Sequence, residues 1–204
     1  MIPSPDKTRV AVLLYPGCIF FEIALLAEEL AKHLSLRYLT PDGAPHAASN
    51  GSMLRADGAY TELEEGDWAA VLVPGGDPDS IVPDGLASAG LQAAAGRGAV
   101  IASICGGNLV LAAAGALRGK RATHNYTDDY APAEAVAFTA PFWLGVEYQL
   151  RDVVRDGNII TAMPWAYVEY AATALMALGL IDAAESEAFC LAHGPRLGQE
   201  RKPS

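Results

Sequence analysis

The chain has 204 residues, 51% of them hydrophobic and 19% charged, which is typical of one globular domain with its own core. A formal net charge of −10 disfavours a nucleic-acid partner, because no basic stripe is present to neutralise phosphates. Apolar runs are too short for a membrane span, and the first residues lack a signal-peptide pattern. Three cysteines, an odd number, fit a reducing cytoplasm. We expect a single cytoplasmic domain over residues 1–204, with disordered ends at 1–7 and 194–204.

Strand-like and helix-like segments alternate through the first half of the chain. The pattern predicts strands at residues 9–14, 36–39 and 69–73, and a fourth in the apolar run that begins at Ala99 and ends at Cys105. It predicts helices at 20–34, 86–95 and 108–114. The weaker pattern of residues 49–63 favours a small hairpin around Asp57-Gly58.

The second half continues the alternation. A strand is predicted at 120–126, a polar turn or short helix at 128–136, a hairpin formed by 146–154 and 159–162, and helices at 165–178 and 182–192. This order predicts βαβ crossovers and an open, mainly parallel sheet with helices on both faces. Ligands of such sheets bind beyond the carboxyl ends of the strands. Three predicted turns fall there: Tyr15-Pro16-Gly17, Pro74-Gly75-Gly76 and Cys105-Gly106-Gly107.

Cys105 lies where a buried strand changes into a helix. Glycine directly after it permits a sharp turn, and the free amides at a helix start favour a thiolate over a thiol. A thiolate is the nucleophilic form of cysteine. The alternative is a core cysteine at a strand end, which the Cys-Gly-Gly context disfavours.

Glu22 opens the first predicted helix, beyond the end of the first strand, so we expect it in the same crevice as Cys105. A carboxyl group and a thiolate in contact share one proton. The predicted arrangement is a protonated Glu22 that donates to the sulfur and passes its proton to a substrate. A solvated first-turn glutamate is the alternative.

Backbone amides of the glycine turns are candidates for an oxyanion hole, although tight turns alone also require glycine. The candidates are Gly75, Gly76 and Gly106. Further pocket candidates, each of which could instead be structural, are His124 and Asn125 to orient or protonate, Tyr126 and Trp165 as walls, and Cys18 near the first turn. The four histidines are scattered and no CxxC is present, so neither a metal nor a cofactor is expected.

Several of these segments together resemble the ThiJ/PfpI superfamily, which includes PfpI-type intracellular proteases and bacterial isonitrile hydratases. The resemblance covers roughly residues 9–180. It is carried by the first turn with its following glutamate, by VLVPGG, by ASICGGNLVLAAAGALRGKRATH and by DGNIITAMPWAYVEYAATALMALG.

The resemblance implies a flavodoxin-like three-layer α/β sandwich and a homodimer. It also implies that Cys105 is the nucleophile, Glu22 its acidic partner, and Gly75 and Gly106 the oxyanion positions. The spacing from the first turn to Glu22 is most like that of isonitrile hydratases, which usually carry aspartate there. Proteases of the family place histidine directly after the cysteine and hydratases threonine, where this chain has Gly106. The histidine often found about twenty residues after the cysteine is replaced by Asn125, and no His-x-Glu near the end completes an amidotransferase triad.

These observations predict a small cysteine-dependent enzyme that adds water to, or otherwise transforms, a small electrophile such as an isonitrile. A redox sensor with an oxidisable Cys105 is the main alternative. Glyoxalase- or protease-like activity is another. A ligand-binding module of a regulator is disfavoured, because this sequence shows no DNA-binding segment.

Overall fold

The computed structural model describes residues 8–194, in which strands and helices alternate along the chain. The strands are β1 Arg9–Leu13, β2 Cys18–Ile19, β3 Ser35–Thr40, β4 His46–Ala47, β5 Met53–Leu54, β6 Gly58–Ala59, β7 Trp68–Val73, β8 Gly75–Gly76, β9 Val100–Ile104, β10 Arg121–Ala122, β11 Glu147–Tyr148, β12 Val153–Asp156 and β13 Ile159–Ala162. The helices are α1 Phe21–Ala31, α2 Glu62–Glu65, α3 Ser88–Gly96, α4 Gly107–Ala113, α5 Ala133–Thr139, α6 Tyr167–Ala177 and α7 Ala183–His193, with 3₁₀ turns at Pro78–Ser80 and Ala140–Trp143. The predicted disorder of the ends falls, except for Gly194, outside the described residues.

The central sheet has seven strands in the order β12-β13-β9-β7-β1-β3-β6. All neighbours pair in parallel except β12, which is antiparallel to β13. Every residue of β7 and of β9 is buried, as expected for strands covered on both faces. The predicted flavodoxin-like α/β fold is therefore confirmed.

The helices that cover the sheet form two groups. Helices α1 and α6 pack against each other, and α7 packs against α6. Helices α2, α3 and α4 form the second group. Helix α1 buries Ile23, Leu26 and Leu30 at helical spacing, which holds its first turn against the sheet. None of the helices within residues 8–194 has the length and apolar content needed to cross a bilayer.

Three local predictions were wrong. The hairpin arm predicted at 146–154 is divided between β11, which pairs with β10, and β12, which forms the hairpin with β13. The hairpin of the first half is formed by β4 and β5, and the Asp57-Gly58 segment instead contributes β6, which extends the main sheet in parallel beside β3. The predicted strand at 120–126 forms only β10, because its partner β11 is just two residues long. Beyond Ala122 the backbone continues as a loop whose side chains pack against aromatic rings.

A small antiparallel ribbon ties the first two predicted turns together. Strand β2 pairs with β8, with Cys18 opposite Gly76 and Ile19 opposite Gly75. The buried Tyr15 hydroxyl lies 2.8 Å from the carbonyl oxygen of Pro74 and 2.7 Å from that of Gly75, to which it donates. The glycine turn after β7 is therefore held in place beside the carboxyl end of β9.

Candidate active site

Cys105 lies between β9 and α4 and has a φ of 57°, the one positive value at a non-glycine residue among residues 8–194. This left-handed conformation is costly for a residue with a side chain and persists where the surroundings enforce it. The amide of Cys105 donates to the carbonyl oxygen of Ala162 over 3.0 Å, and the carbonyl of Cys105 accepts from the Asn108 amide at 3.0 Å. The backbone is thus fixed on both sides of the sulfur.

A network of buried polar side chains stabilises the turn at Cys105. The side chain of Asn108 is fully buried. Its Nδ2 donates to the Ala162 carbonyl at 2.8 Å, and its Oδ1 accepts from the Ser103 hydroxyl at 2.6 Å. These bonds join α4 to β9 and β13. Sequence reasoning missed both side chains, although a single asparagine in the apolar run of α4 was a usable signal.

Glu22 and Cys105 meet at Gly75. The Glu22 side chain is buried, its carboxylate accepts from the Gly75 amide at 2.9 Å, and it is hydrogen-bonded to the Cys105 thiol. A Cβ at Gly75 would collide with the Glu22 carboxylate and with Cys105. The absence of a side chain at Gly75 therefore permits this close pair.

The surroundings of the pair raise the pKa of both groups. Burial, and next the charge of Glu22, raise the pKa of the Cys105 thiol to about 12. Amides of Gly106 and Gly76 lower this pKa, but by less. Burial also raises the pKa of Glu22. Burial thus disfavours the charged form of each group, and the direction of the Cys105 shift favours a thiol over the predicted thiolate.

The backbone amides of Gly75, Gly76 and Gly106, which were predicted to form an oxyanion hole, are directed at different groups. Those of Gly76 and Gly106 are hydrogen-bonded to the Cys105 sulfur. The Gly75 amide is committed to Glu22 and is not free for an oxyanion. A Cβ at Gly106 would collide with the carbonyl oxygen of Gly76. This chain consequently has no room for a side chain directly after its cysteine.

His124 is a packed, neutral ring. It is 5% exposed, it stacks on Trp143 with ring centroids 3.8 Å apart, and burial lowers its pKa to about 4. Its Nδ1 accepts from the Tyr126 amide at 3.2 Å. The neighbouring Asn125 keeps a buried side-chain oxygen that has no hydrogen-bond partner among residues 8–194. Within that range, no hydrogen bond joins either side chain to Cys105.

Tyr126 lines a cleft of about 420 Å³ whose walls also include Asp77 and Leu109. Asp77 follows Gly76 directly and Leu109 lies one turn along α4 from Cys105, so the cleft lies near the turn that carries Cys105, whereas Cys105 and Glu22 themselves do not line it. Burial raises the pKa of Tyr126. Among the predicted wall residues, Tyr126 is the one that lines this cleft.

The two remaining pocket candidates lie elsewhere. Trp165 is 50% exposed, donates to Asp152 at 2.9 Å and contacts the ring of Tyr130. The fully buried Cys18 belongs to the core, although its backbone pairs with Gly76. Over residues 8–194 no group of three or more histidine, cysteine or acidic side chains is arranged to hold a metal.

Comparisons with known proteins agree with this geometry. The sequence profile of the DJ-1/PfpI family matches residues 8–178. The chain belongs to the DJ-1/PfpI family. A DJ-1 superfamily protein from Agrobacterium tumefaciens has a similar structure, with a TM-score of 0.74 and 25% identity over 92% of this chain and 100% of that one.

Two curated relatives of this DJ-1/PfpI protein differ in kind. Isonitrile hydratase from Pseudomonas putida is 29% identical over 192 residues, which are 92% of this chain and 79% of that protein. The HTH-type transcriptional regulator CdhR from Pseudomonas aeruginosa is 40% identical over 85 residues, which are 42% of this chain but only 25% of the regulator. This chain therefore matches about a quarter of the regulator's length.

Proposed function

We propose that this protein is a cysteine-dependent enzyme that adds water to a small electrophile, with an isonitrile as the preferred class. The observation that carries the proposal is the buried pair of Cys105 and Glu22, whose side chains are hydrogen-bonded at a strained turn beside an open cleft. The similarity to isonitrile hydratase over most of the chain supports the choice of substrate.

The first half of the reaction uses Glu22 as a base and then as an acid. In the proposed reaction the sulfur carries the proton at rest, and Glu22 accepts this proton as Sγ adds to the isonitrile carbon. A carbon–sulfur bond forms, and Glu22 then delivers the same proton to that carbon. The product is a thioimidate, R–N=CH–S, attached to Cys105.

The second half consumes one water molecule. Water adds to the thioimidate carbon, one of its protons passes to the nitrogen, and the carbon–sulfur bond then breaks. An N-substituted formamide leaves and the sulfur regains a proton through Glu22. The balance is one isonitrile plus one water to one formamide, with no oxidant or metal required.

The test measures formamide production by the purified protein from a panel of isonitriles, with glyoxals and peptides as competing substrate classes. We expect turnover in the wild type, none in Cys105→Ala, and a loss of roughly 10²–10⁴-fold in Glu22→Gln. Cys190→Ser is the matched control, since Cys190 lies on α7, and its turnover should equal that of the wild type. Turnover that survives Cys105→Ala would reject the proposal.

A redox role is the second candidate, supported by the amides of Gly76 and Gly106 at the sulfur. Hydrogen peroxide would convert the thiol to a sulfenic acid with release of water, and these amides would bind the new oxygen. The raised pKa of Cys105 opposes this role, because the thiolate is the form that reacts with peroxide. Absence of turnover together with rapid oxidation at Cys105 would favour this candidate.

We also propose a two-fold homodimer that contacts the start of α1. Most of the apolar turn before α1 is covered within the chain: Cys18 is fully buried and Phe20 packs on Tyr38. Phe21 remains 63% exposed beside the ring of Tyr167, at a centroid distance of 6.1 Å. An exposed aromatic pair next to Glu22 supports an interface there.

A further inference from the structure

The proposed reaction creates an oxygen on the substrate that needs a hydrogen-bond donor. The amides first considered for this task are engaged elsewhere, since Gly75 donates to Glu22 while Gly76 and Gly106 are hydrogen-bonded to the sulfur. Gly106 offers no side chain and, because of the Gly76 carbonyl, cannot carry one. The donor must therefore come from the cleft.

The side chains that line the cleft leave one uncommitted donor. Carboxylates contribute acceptors only, and these belong to Asp77, Asp79 and Glu134. The Thr139 hydroxyl lines the cleft as well but donates to the Ala135 carbonyl at 2.8 Å. The Tyr126 hydroxyl has no hydrogen-bond partner within residues 8–194.

The ring of Tyr126 is held in a defined place. Its backbone amide donates to Nδ1 of His124 at 3.2 Å. The Trp143 ring lies 3.8 Å from the His124 ring and 5.8 Å from that of Tyr126, centroid to centroid. His124 and Trp143 are thus positioning residues for Tyr126. This gives the neutral His124 a role without any proton transfer.

We propose that Tyr126 is a further catalytic residue, whose hydroxyl donates a hydrogen bond to the oxygen that water adds to the substrate carbon. This rests on the proposed hydration reaction. Burial and the charges of Asp77 and Asp79 raise the pKa of the phenol, so it stays protonated and able to donate at neutral pH. Negative charge collects on this oxygen when it loses its proton before the carbon–sulfur bond breaks, so the bond strengthens at that stage and persists to the carbonyl of the formamide product.

The test compares Tyr126→Phe with Tyr130→Phe. Tyr130 is a neighbouring surface tyrosine, 44% exposed, with its ring against Trp165. Tyr126→Phe keeps the packed ring and removes only the hydroxyl, so its thermal midpoint should equal that of the wild type. We expect kcat for isonitrile hydration to fall about 10- to 100-fold, with KM changed less than 3-fold, since removal of one such donor acts on the transition state. Tyr130→Phe should change neither constant.

A second measurement separates this inference from the proposed function. Binding of the formamide product, titrated by calorimetry, needs no turnover but presents the same oxygen. We expect Tyr126→Phe to weaken this binding at least 3-fold, and Tyr130→Phe to leave it unchanged. Weakened binding without wild-type turnover would reject the proposed reaction and keep the donor role of Tyr126. Turnover and formamide binding both within 2-fold of wild type in Tyr126→Phe would overturn the inference, as would a wild type that does not bind formamide.

Discussion

Replacing Glu22 by glutamine should make Cys105 more reactive towards alkylation while it abolishes most turnover. The amide oxygen of glutamine can still accept from the Gly75 amide, so the local geometry is retained. What is lost is the negative charge that, after burial, contributes most to raising the pKa of the thiol. Removing this charge should lower the pKa of Cys105 and raise the fraction of thiolate at neutral pH.

The size of this effect follows from the contact between the two groups. Two unit charges ~4 Å apart interact by about 4 kcal/mol at an effective dielectric constant near 20, equivalent to about 3 pKa units. A thiolate of lower pKa is also intrinsically less nucleophilic, with a Brønsted coefficient of about 0.4–0.5. The net gain in alkylation rate is therefore ~30- to 60-fold, and solvent screening of the pair would reduce it towards ~10-fold.

The assay is iodoacetamide labelling at pH 7, followed by peptide mass spectrometry at each cysteine. Cys190 provides an internal reference in the same molecule, because its surroundings on α7 do not include Glu22. A Cys105 rate that rises relative to Cys190 supports a resting thiol beside an ionised Glu22. An unchanged or slower rate would refute this reasoning and indicate a thiolate that receives a hydrogen bond from protonated Glu22.

Three other predictions concern stability and assembly. Gly106→Ala should lower the free energy of unfolding by about 1–3 kcal/mol in urea titrations, because its Cβ meets the Gly76 carbonyl, whereas Gly96→Ala, with open space around it, should leave stability equal or higher. His124 should make the protein less stable below neutral pH, because this histidine takes up a proton near pH 6.5 in the unfolded chain but only near pH 4 in the folded chain. The free energy of unfolding should therefore fall by about 3 kcal/mol between these pH values. His124→Gln should remove this part of the fall. Light scattering at micromolar concentration should give a dimer mass for the wild type and a monomer mass for Phe21→Glu; a wild-type monomer would exclude the dimer.

The fold and the placement of Cys105 beside Glu22 were predictable because both depend on short-range signals. Apolar runs of strand length that alternate with helical spacing define a parallel sheet, and the carboxyl ends of its strands meet at one edge. A cysteine followed by two glycines at that edge indicated a tight turn, and the structure has its one positive non-glycine φ within residues 8–194 there. Glu22 needed only the additional inference that α1 begins at the same edge.

The protonation state and the donors were not predictable, because they depend on contacts between distant segments. The commitment of the Gly75 amide to Glu22 follows from the β2–β8 ribbon, which has two residues in each strand and no periodic signal. The depth of burial of the sulfur depends on how closely the loops after β1, β7 and β9 pack. Trp143, which stacks on His124, lies in a 3₁₀ turn that the spacing of apolar residues in the sequence does not predict.

The contact between Gly106 and Gly76 determines which backbone donors face the Cys105 sulfur. Proteases of the resembled superfamily carry histidine at this position and hydratases carry threonine, whereas this chain has Gly106. In the structure the Gly76 carbonyl occupies the space that a Cβ would need, while the amides of both glycines are hydrogen-bonded to the sulfur. The close approach of the Gly76 and Gly106 backbones thus excludes a side chain directly after Cys105. It also directs the two glycine amides at the Cys105 sulfur. In the proposed reaction, a group that stabilises the substrate oxygen must then come from the cleft, where the Tyr126 hydroxyl has no hydrogen-bond partner within residues 8–194.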